Sequence, residues 1–535
     1  MCLLSETVSS RIFVLEEPVR GQRVVVRRES VVAFVGAAPR GPVGIPVAIR
    51  SIDEYRRRFG SPGHRSRVQD HLTQFFENGG TSAIFVRVSG SERRHRIFIP
   101  ALGGDLVLDA INPGPLECVR ASIDYDGIAD DDGERFNLVI HRLTSRDHPI
   151  VEDQELYGGL SVDPDDPDYV LHVLANSNLV SVFGPVPTVR PEITLSPGIE
   201  VGASYLYADE SWHESPVLTD YDLIGSNTDG TGIFALDRLP ILDLICLVPT
   251  DGEVGPVALF AVDRYCHRRQ AMLFVDPPLA WSNVAAVMRD RHSAGLYSPN
   301  VMTYYPRPAP PTGVGADEAA SALGAILGRL VAGDAEEGVW GALDRGPIVA
   351  RFRDRLTCHL DAHDSAALLR VGVNPLRECA GGYVQLEGLV TLGRCGGYDA
   401  QAANIAPRRL SLFIIGSIVR STRWAAFEKN GPAAWSEVAQ QVAEFLRELH
   451  DAGALDSSGT RNAHYVICDR ETNSGGHRDV VGHGHGSGEG EPGGVNFIVG
   501  FALRGQEFQT FRFAHDQLEC HVHSGGWQPR VALAS

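Results

Sequence analysis

The stretch 405–470, IAPRRLSLFIIGSIVRSTRWAAFEKNGPAAWSEVAQQVAEFLRELHDAGALDSSGTRNAHYVICDR, constrains this chain more than any other. Leu410, Phe413, Ile414 and Ile418 recur at helical spacing and predict a helix from 407 to about 423. Pro432 suits the first turn of a second helix, with Asn430 or Gly431 as its cap. Trp435, Val438, Val442, Phe445 and Leu449 then form one apolar stripe along a helix of about four turns, stopping near Gly453. Residues 464–469 read as a short buried strand. The face opposite the stripe carries Glu437, Glu444, Glu448 and Asp451, all within one narrow sector of the second helix. Like charges at Glu444 and Glu448, four apart, mildly destabilise an isolated helix. Such a run is ordinarily a solvated face; its sharper reading is a docking surface for a basic partner.

The chain has 535 residues, enough for three or four domains, and 43% hydrophobic with 21% charged residues is globular composition. No apolar run reaches the roughly 18 residues a membrane span needs, and the N-terminus lacks the basic and apolar segments of a signal peptide. The nine scattered cysteines, with no CxxC pair, predict reduced thiols in a cytoplasm. A net charge of -19 disfavours nucleic acid as a partner. Lys429 is the only lysine, which fits a coding bias or a use of bidentate arginine contacts at subunit interfaces.

Residues 11–17 hold the apolar run Ile12, Phe13, Val14, Leu15, closed by Pro18; a lone strand of this kind needs a sheet to join. Residues 23–36 read as two valine-rich strands. The glycine loop at 36–44 mimics a phosphate loop, yet no Lys-Ser/Thr follows Gly41, and Pro42 removes an amide the phosphate needs. A helix at 68–78 and a strand at 83–88 follow. From 106 to 184, strands at 118–123 and 136–143 alternate with acidic turns. Asp124, Asp126, Asp130, Asp131 and Asp132 fail the calcium-loop spacing because Ile128 stands where an oxygen ligand is needed, so a solvated hairpin tip is expected.

Four prolines make 185–198 an extended connector. Strands at 241–248, 271–275 and 300–305 then alternate with helices at 254–267 and 281–292, the order of a parallel sheet covered by helices. Asp251 and Asp276 fall at carboxyl ends of these strands, where such sheets place their sites. They support the alternative reading, an α/β hydrolase-like or nucleotide-binding enzyme. Against it, no GxSxG, HExxH or GxGxxG lies near, and strand-end carboxylates often cap turns. A second proline-rich connector at 306–315 leads to helices at 317–331 and 361–370.

Residues 475–494 carry nine glycines with His477, His483 and His485; a flexible loop offers no fixed metal geometry, so a mobile surface loop is expected. Phe508, Thr510 and Arg512 alternate with Gln509, Phe511 and Phe513, the pattern of a terminal strand. In the extension 515–535, extended geometry puts His521 and His523 on one face and Cys520 on the other, and the segment reads as covering a surface.

Several of these stretches together resemble one family. The helix, then WAAFEKN at 424–430, the second helix and VICD at 466–469 are similar to the C-terminal domain of contractile tail sheath proteins, the sleeves of phage tails, tailocins and contractile injection systems. VGVNPL at 371–376 resembles the family's Gly-Ile-Asn-Pro segment, and GLVTL at 388–392 sits where a "GARTL"-like strand belongs, Leu389 and Val390 departing from it. AFVG at 33–36, Gly41-Pro42, Pro46-Val47 and Phe59-Gly60 resemble the family's opening.

The resemblance implies a multidomain α/β fold. Its α+β sheath core comes from both ends of the chain, with a middle α/β domain that is subtilisin-like but has no catalytic set, a β-rich outer insert, and extended terminal arms. The implied divisions are an arm at 1–22, core at 23–100, insert at 101–200, middle domain at 201–345, C-terminal core at 346–514 and an extension at 515–535. It implies a structural subunit, not an enzyme, with no cofactor or metal, that polymerises around an inner tube and contracts. Its partners would be copies of itself, the tube protein, and baseplate and terminal cap proteins, with no nucleic acid and no membrane insertion. Assembly would take place in a bacterial cytoplasm, as part of a phage tail or phage-tail-like particle. Ile12, Phe13, Val14 and Leu15 with Phe508, Phe511 and Phe513 would link subunits by strand addition. Glu437, Glu444, Glu448 and Asp451 would face the tube. A further reading makes the insert a surface-binding module for glycans or host cells.

Overall fold

The computed structural model describes residues 24 and 26–524 apart from 61–65, 91–93, 115, 130, 148, 195–204, 210–217, 251–252, 294–296, 310–319, 344–347, 353–354, 396–402, 457–462, 474–493 and 516–519. The arm residues Ile12 to Leu15, Asp130, Asp251 and the histidines of the glycine-rich loop lie outside the described residues.

β1 (Val32–Gly36) is buried along its whole length, the signature of an interior strand covered on both faces. β2 (Pro46–Ile49), α1 (Ile52–Phe59), α2 (Arg67–Glu77) and β3 (Ala83–Arg87) follow, β3 running parallel to β1 and antiparallel to β2. Both helices start on a serine whose hydroxyl accepts a first-turn N–H: Ser51 from Glu54 and Ser66 from Gln69.

The insert is built from β4 (Arg96–Ile99), β5 (Leu106–Ala110), β6 (Cys118–Asp124), β7 (Arg135–Leu143), β8 (Val151–Ser161), α3 (Val170–Leu174), β9 (Val180–Phe183) and β10 (Leu206–Tyr207). These strands make a three-stranded sheet, β4-β5-β9, and a four-stranded one, β10-β6-β7-β8. Together they enclose one core that includes Ile97, Leu108, Ile123, Phe136 and Ile140.

Next come α4 (Asp220–Ile224), β11 (Leu244–Val248), α5 (Pro256–Arg269), β12 (Met272–Val275), α6 (Val284–Ser293) and β13 (Val301–Tyr305). The expected βαβαβ order holds, with β11, β12 and β13 parallel neighbours. The Asp220 carboxylate accepts from the amides of Gly255, Val257 and Ala258, supplying the anion that the N-terminus of α5 attracts. α7 (Leu323–Glu337), β14 (Ile348–Arg351), α8 (Ala362–Arg370), β15 (Asn374–Cys379) and β16 (Tyr383–Leu386) complete the body.

All these strands outside the insert form one nine-stranded sheet, in the order β14-β16-β15-β13-β12-β11-β1-β3-β2. Residues 23–100, 201–345 and the start of 346–514 share a sheet, because β1 needs a partner on each edge and β11 takes the one β3 leaves open.

The C-terminal part holds α9 (Ile405–Ser421), α10 (Pro432–Asp451), β17 (His464–Ile467), α11 (Arg470–Asn473), β18 (Asn496–Ala502), β19 (Phe508–His515) and β20 (Cys520–Ser524). Its sheet, β17-β18-β19-β20, and both long helices enclose a core including Phe413, Ile414, Phe445, Phe497 and Phe513. α10 buries the expected stripe, and α9 is buried nearly all round from Ile405 to Ile418 because it lies between this core and the large sheet.

Three local expectations fail. Among the described residues of 23–36 only the second of two strands forms: Val24 is drawn into the C-terminal core, and Arg27 makes a two-pronged ion pair with Asp243. β17 is half-buried rather than buried, because it is a sheet edge. Residues 388–392 make a single bridge, Val390 to Asn404, rather than a strand.

The buried histidines make stability depend on pH. Burial, above all, depresses the affinity of His71, His141 and His464 for protons; cationic or imidazole neighbours add to it at His141 and His464, while at His71 the Asp276 charge and the Arg67 carbonyl oppose it without reversing it. As pH falls below their ordinary value of 6.5, the unfolded chain takes up protons that the folded chain refuses, so stability declines. His267 works the other way: hydrogen bonding to Asp263 raises its affinity, so its contribution is full below 6.5 and fades as pH rises. It is 43% exposed at the side chain, and solvent discounts it. The melting temperature should therefore drop between about pH 7 and pH 5, and His71→Gln should shrink that drop. An unchanged drop in His71→Gln would contradict the assignment.

Candidate functional site, the terminal sheet and the acidic helix

The C-terminal sheet is an aromatic construction. Phe497 stacks on Phe513 with ring centres 4.8 Å apart, and Phe501 on Phe511 at 5.3 Å, all on the face turned to the core. On the other face Tyr465 stacks on Phe508 at 5.4 Å, above Gly500. A Cβ on Gly500 would come within 2.3 Å of the Tyr465 ring and 2.5 Å of the Phe508 ring, so this glycine makes the stack possible. Of the predicted linking residues, then, Phe511 and Phe513 fill the chain's own core, while Phe508 stays 45% exposed. β19 is hydrogen-bonded on both sides, by β18 and by β20. Among the described residues the open backbone edges of this sheet belong to β17 and β20. The expected covering role of the extension begins in this pairing of β20 with β19.

The acidic sector of α10 forms, but on the flank of the helix. Glu437, Glu444 and Glu448 are half-buried, and Gln440 donates to Glu444 at 3.1 Å. The most exposed line carries Ser436, Gln440, Arg447 and Asp451, so a cation stands among the carboxylates. His450 lies 3.6 Å from Asp451. The apolar stripe could not reveal this offset, because the packing of α10 on β17 and on the α9 side tilts which flank is covered.

At the strand ends the enzyme reading finds little. The Asp276 carboxylate accepts from the Ser321 hydroxyl at 2.8 Å, and that hydroxyl in turn accepts from the Leu323 amide at the start of α7. His71 is near enough to feel the Asp276 charge, but its Nδ1 is engaged with the Arg67 carbonyl at 2.7 Å. Both Ser321 and His71 are buried, and the Asp276–Ser321 pair caps a helix inside the protein rather than meeting a substrate. The loop 36–44 is likewise a structural joint: the Arg87 guanidinium donates to the Gly41 carbonyl at 2.7 Å, and Arg40 forks onto Glu152 of the insert. Among the described residues, no group of three or more His, Cys, Asp or Glu is placed to hold a metal ion, and no helix is long and apolar enough to cross a membrane.

Two contributors went unnoticed in the sequence. Asn374, in the VNP segment, donates to the carbonyls of Thr303 and Val390 and accepts from the Val390 amide at 2.7 Å, pinning the 388–392 stretch to β13. Arg409 of α9 is paired with Asp334 of α7, both buried, with Ser30 bonded to each. A charged residue on an otherwise apolar helix face was the available signal.

This arrangement, a nine-stranded mixed sheet with a β-rich insert and a helix-backed terminal sheet, is the fold of contractile tail sheath proteins. Over 94% of its length the chain superposes on 96% of a sheath tail protein from Listeria innocua, with a TM-score of 0.56 at 12% identity. It also superposes, over the same 94%, on 98% of the helical sheath of the anti-feeding prophage in its contracted state (TM-score 0.52, 15% identity). A chain of that prophage's baseplate assembly gives a TM-score of 0.50 at 15% identity over 93% of this chain and 96% of its own. No protein-family model matches the sequence, and no curated protein does.

Proposed function

We propose that this protein is the structural subunit of a contractile tail sheath, polymerising around an inner tube and contracting to drive it through a target envelope. The near end-to-end likeness to the Listeria innocua sheath tail protein carries the reading. The terminal sheet supports it: open edges at β17 and β20 offer main-chain donors and acceptors to strands of neighbouring copies. The N-terminal run Ile12 to Leu15 supplies one such strand, and the segment from β20 onward the other. Head-to-tail contacts of this kind propagate without closing, as a sleeve requires. The flank of α10 with Glu437, Glu444, Glu448 and Asp451 faces the tube, and the β11–β13 region corresponds to a subtilisin-like layout that has lost any catalytic use. Baseplate and cap proteins close the two ends, and assembly takes place in a bacterial cytoplasm. The half-buried Asp276, engaged by the buried Ser321 hydroxyl, weighs against the enzyme reading.

Electron microscopy of the purified chain, with and without a tube protein, tests this. Striated hollow sleeves are expected from the full chain, and their loss on deletion of residues 1–22, with the melting temperature kept, is the expected signature of strand linkage. Long polymers from the truncated chain would reject the linkage; a full chain that stays monomeric at every concentration would reject the sheath.

A further inference from the structure

The insert carries a cationic, donor-rich site on the outer face of its four-stranded sheet. Val119, Ala121 and Ile123 of β6 point into the core, which puts Arg120 on the opposite face, across from His141 on β7 and Tyr207 on β10. Arg120 is 8% exposed, yet among the described residues its guanidinium is bonded only to neutral groups. It donates to Nδ1 of His141 at 3.3 Å and to the Tyr207 hydroxyl at 3.1 Å, and it lies 3.8 Å from the centre of the Tyr205 ring. Arg142 and Arg40 nearby have carboxylates, Glu117 and Glu152; Arg120 has none among the described residues. A guanidinium so far removed from water ordinarily carries an anion.

The surrounding donors point the same way. Because Nδ1 of His141 accepts from Arg120, its proton sits on Nε2, which makes no hydrogen bond to any described residue. The Tyr205 hydroxyl likewise has no partner among them, and its ring packs 5.2 Å from His141. The exposed Arg146 stacks on Tyr207 at 4.8 Å, so two guanidinium groups flank one ring. We infer that this cluster binds a carboxylated saccharide: Arg120 takes the carboxylate, while His141 Nε2–H and the Tyr205 hydroxyl donate to adjacent sugar oxygens. A side-chain carboxylate from a peptide would use the guanidinium but leave the two neutral donors unmatched.

Calorimetric titration of the full chain with glucuronate and with polygalacturonate tests this, with glucose and poly-glutamate in parallel. A free sugar acid should bind weakly, on the order of 1 mM, and the polymer more tightly. Tyr205→Phe, at a half-buried position, should weaken binding about tenfold without moving the melting temperature. Binding of glucuronate alone, with no gain from the polymer, keeps the site but makes a free sugar acid its ligand. Poly-glutamate binding as well as the polysaccharide, equal binding of glucose, or no binding at all overturns the assignment. The measurement is independent of polymer formation, so the sheath reading stands or falls separately.

Discussion

Replacing Arg409 by methionine should destabilise the protein by about 3–5 kcal/mol, the usual cost of removing one partner from a buried ion pair. Arg409 and Asp334 are 3% and 0% exposed at their side chains, and Ser30 bonds both. The cluster joins α9, α7 and the segment ahead of β1, so it ties the C-terminal core to the nine-stranded sheet. In Arg409→Met the Asp334 carboxylate would keep only the Ser30 hydroxyl, too little to hold a charge away from water. The double change Arg409→Met with Asp334→Leu should recover most of the loss, because an apolar pair of similar bulk often matches or exceeds a buried ion pair. The midpoint of urea unfolding reads both effects. A single variant as stable as the parent would show that the charges are solvated in solution.

The second large effect is expected where α7 crosses α2. Gly324 and Gly328 lie one turn apart on α7, and a Cβ on each would stand 2.1 Å from the His71 carbonyl oxygen and 2.3 Å from that of Phe75. Those are backbone atoms of a packed helix, so the two helices would have to separate by roughly 1 Å to restore ordinary contact. Alanine improves helix propensity by about 1 kcal/mol, while overpacking costs about 1–3 kcal/mol and more when backbone must move. Gly324→Ala and Gly328→Ala should therefore each be net destabilising, and the double variant should lower the melting temperature by several degrees. Gly416→Ala in α9 is the contrast: its nearest neighbour, at 3.1 Å, is the flexible end of Arg420, so the propensity gain should survive. Equal responses at the three glycines would refute the close-crossing argument.

Legibility followed physical scale. The α9 and α10 stripes, the βαβαβ alternation and the β6 and β7 strands were readable because each follows from a period set within a few residues. β8 was not: Glu152, Asp153, Gln154 and Glu155 give it no apolar face, and only pairing with β7 makes it a strand. The linking role drawn for Phe511 and Phe513 had the right strand pattern, but alternation alone cannot say whether the apolar face meets its own core or a neighbour's. The four acidic residues of α10 do share one sector, but it lies on a half-buried flank and not on the solvated face opposite the stripe that was expected, since helix geometry fixes positions relative to one another and not to the rest of the molecule.

By itself, then, the sequence determined the long helices and the periodic strands and, through the motifs at 371–376 and 424–430, which fold they compose, since local period and turn chemistry act over a few residues. Tertiary structure alone decided that β1 and β11 join distant stretches into one sheet, that Arg409 meets Asp334, and that Arg120 finds no carboxylate among the described residues. Those outcomes depend on which surfaces remain to be covered once the segments have formed, and that is a property of the whole chain.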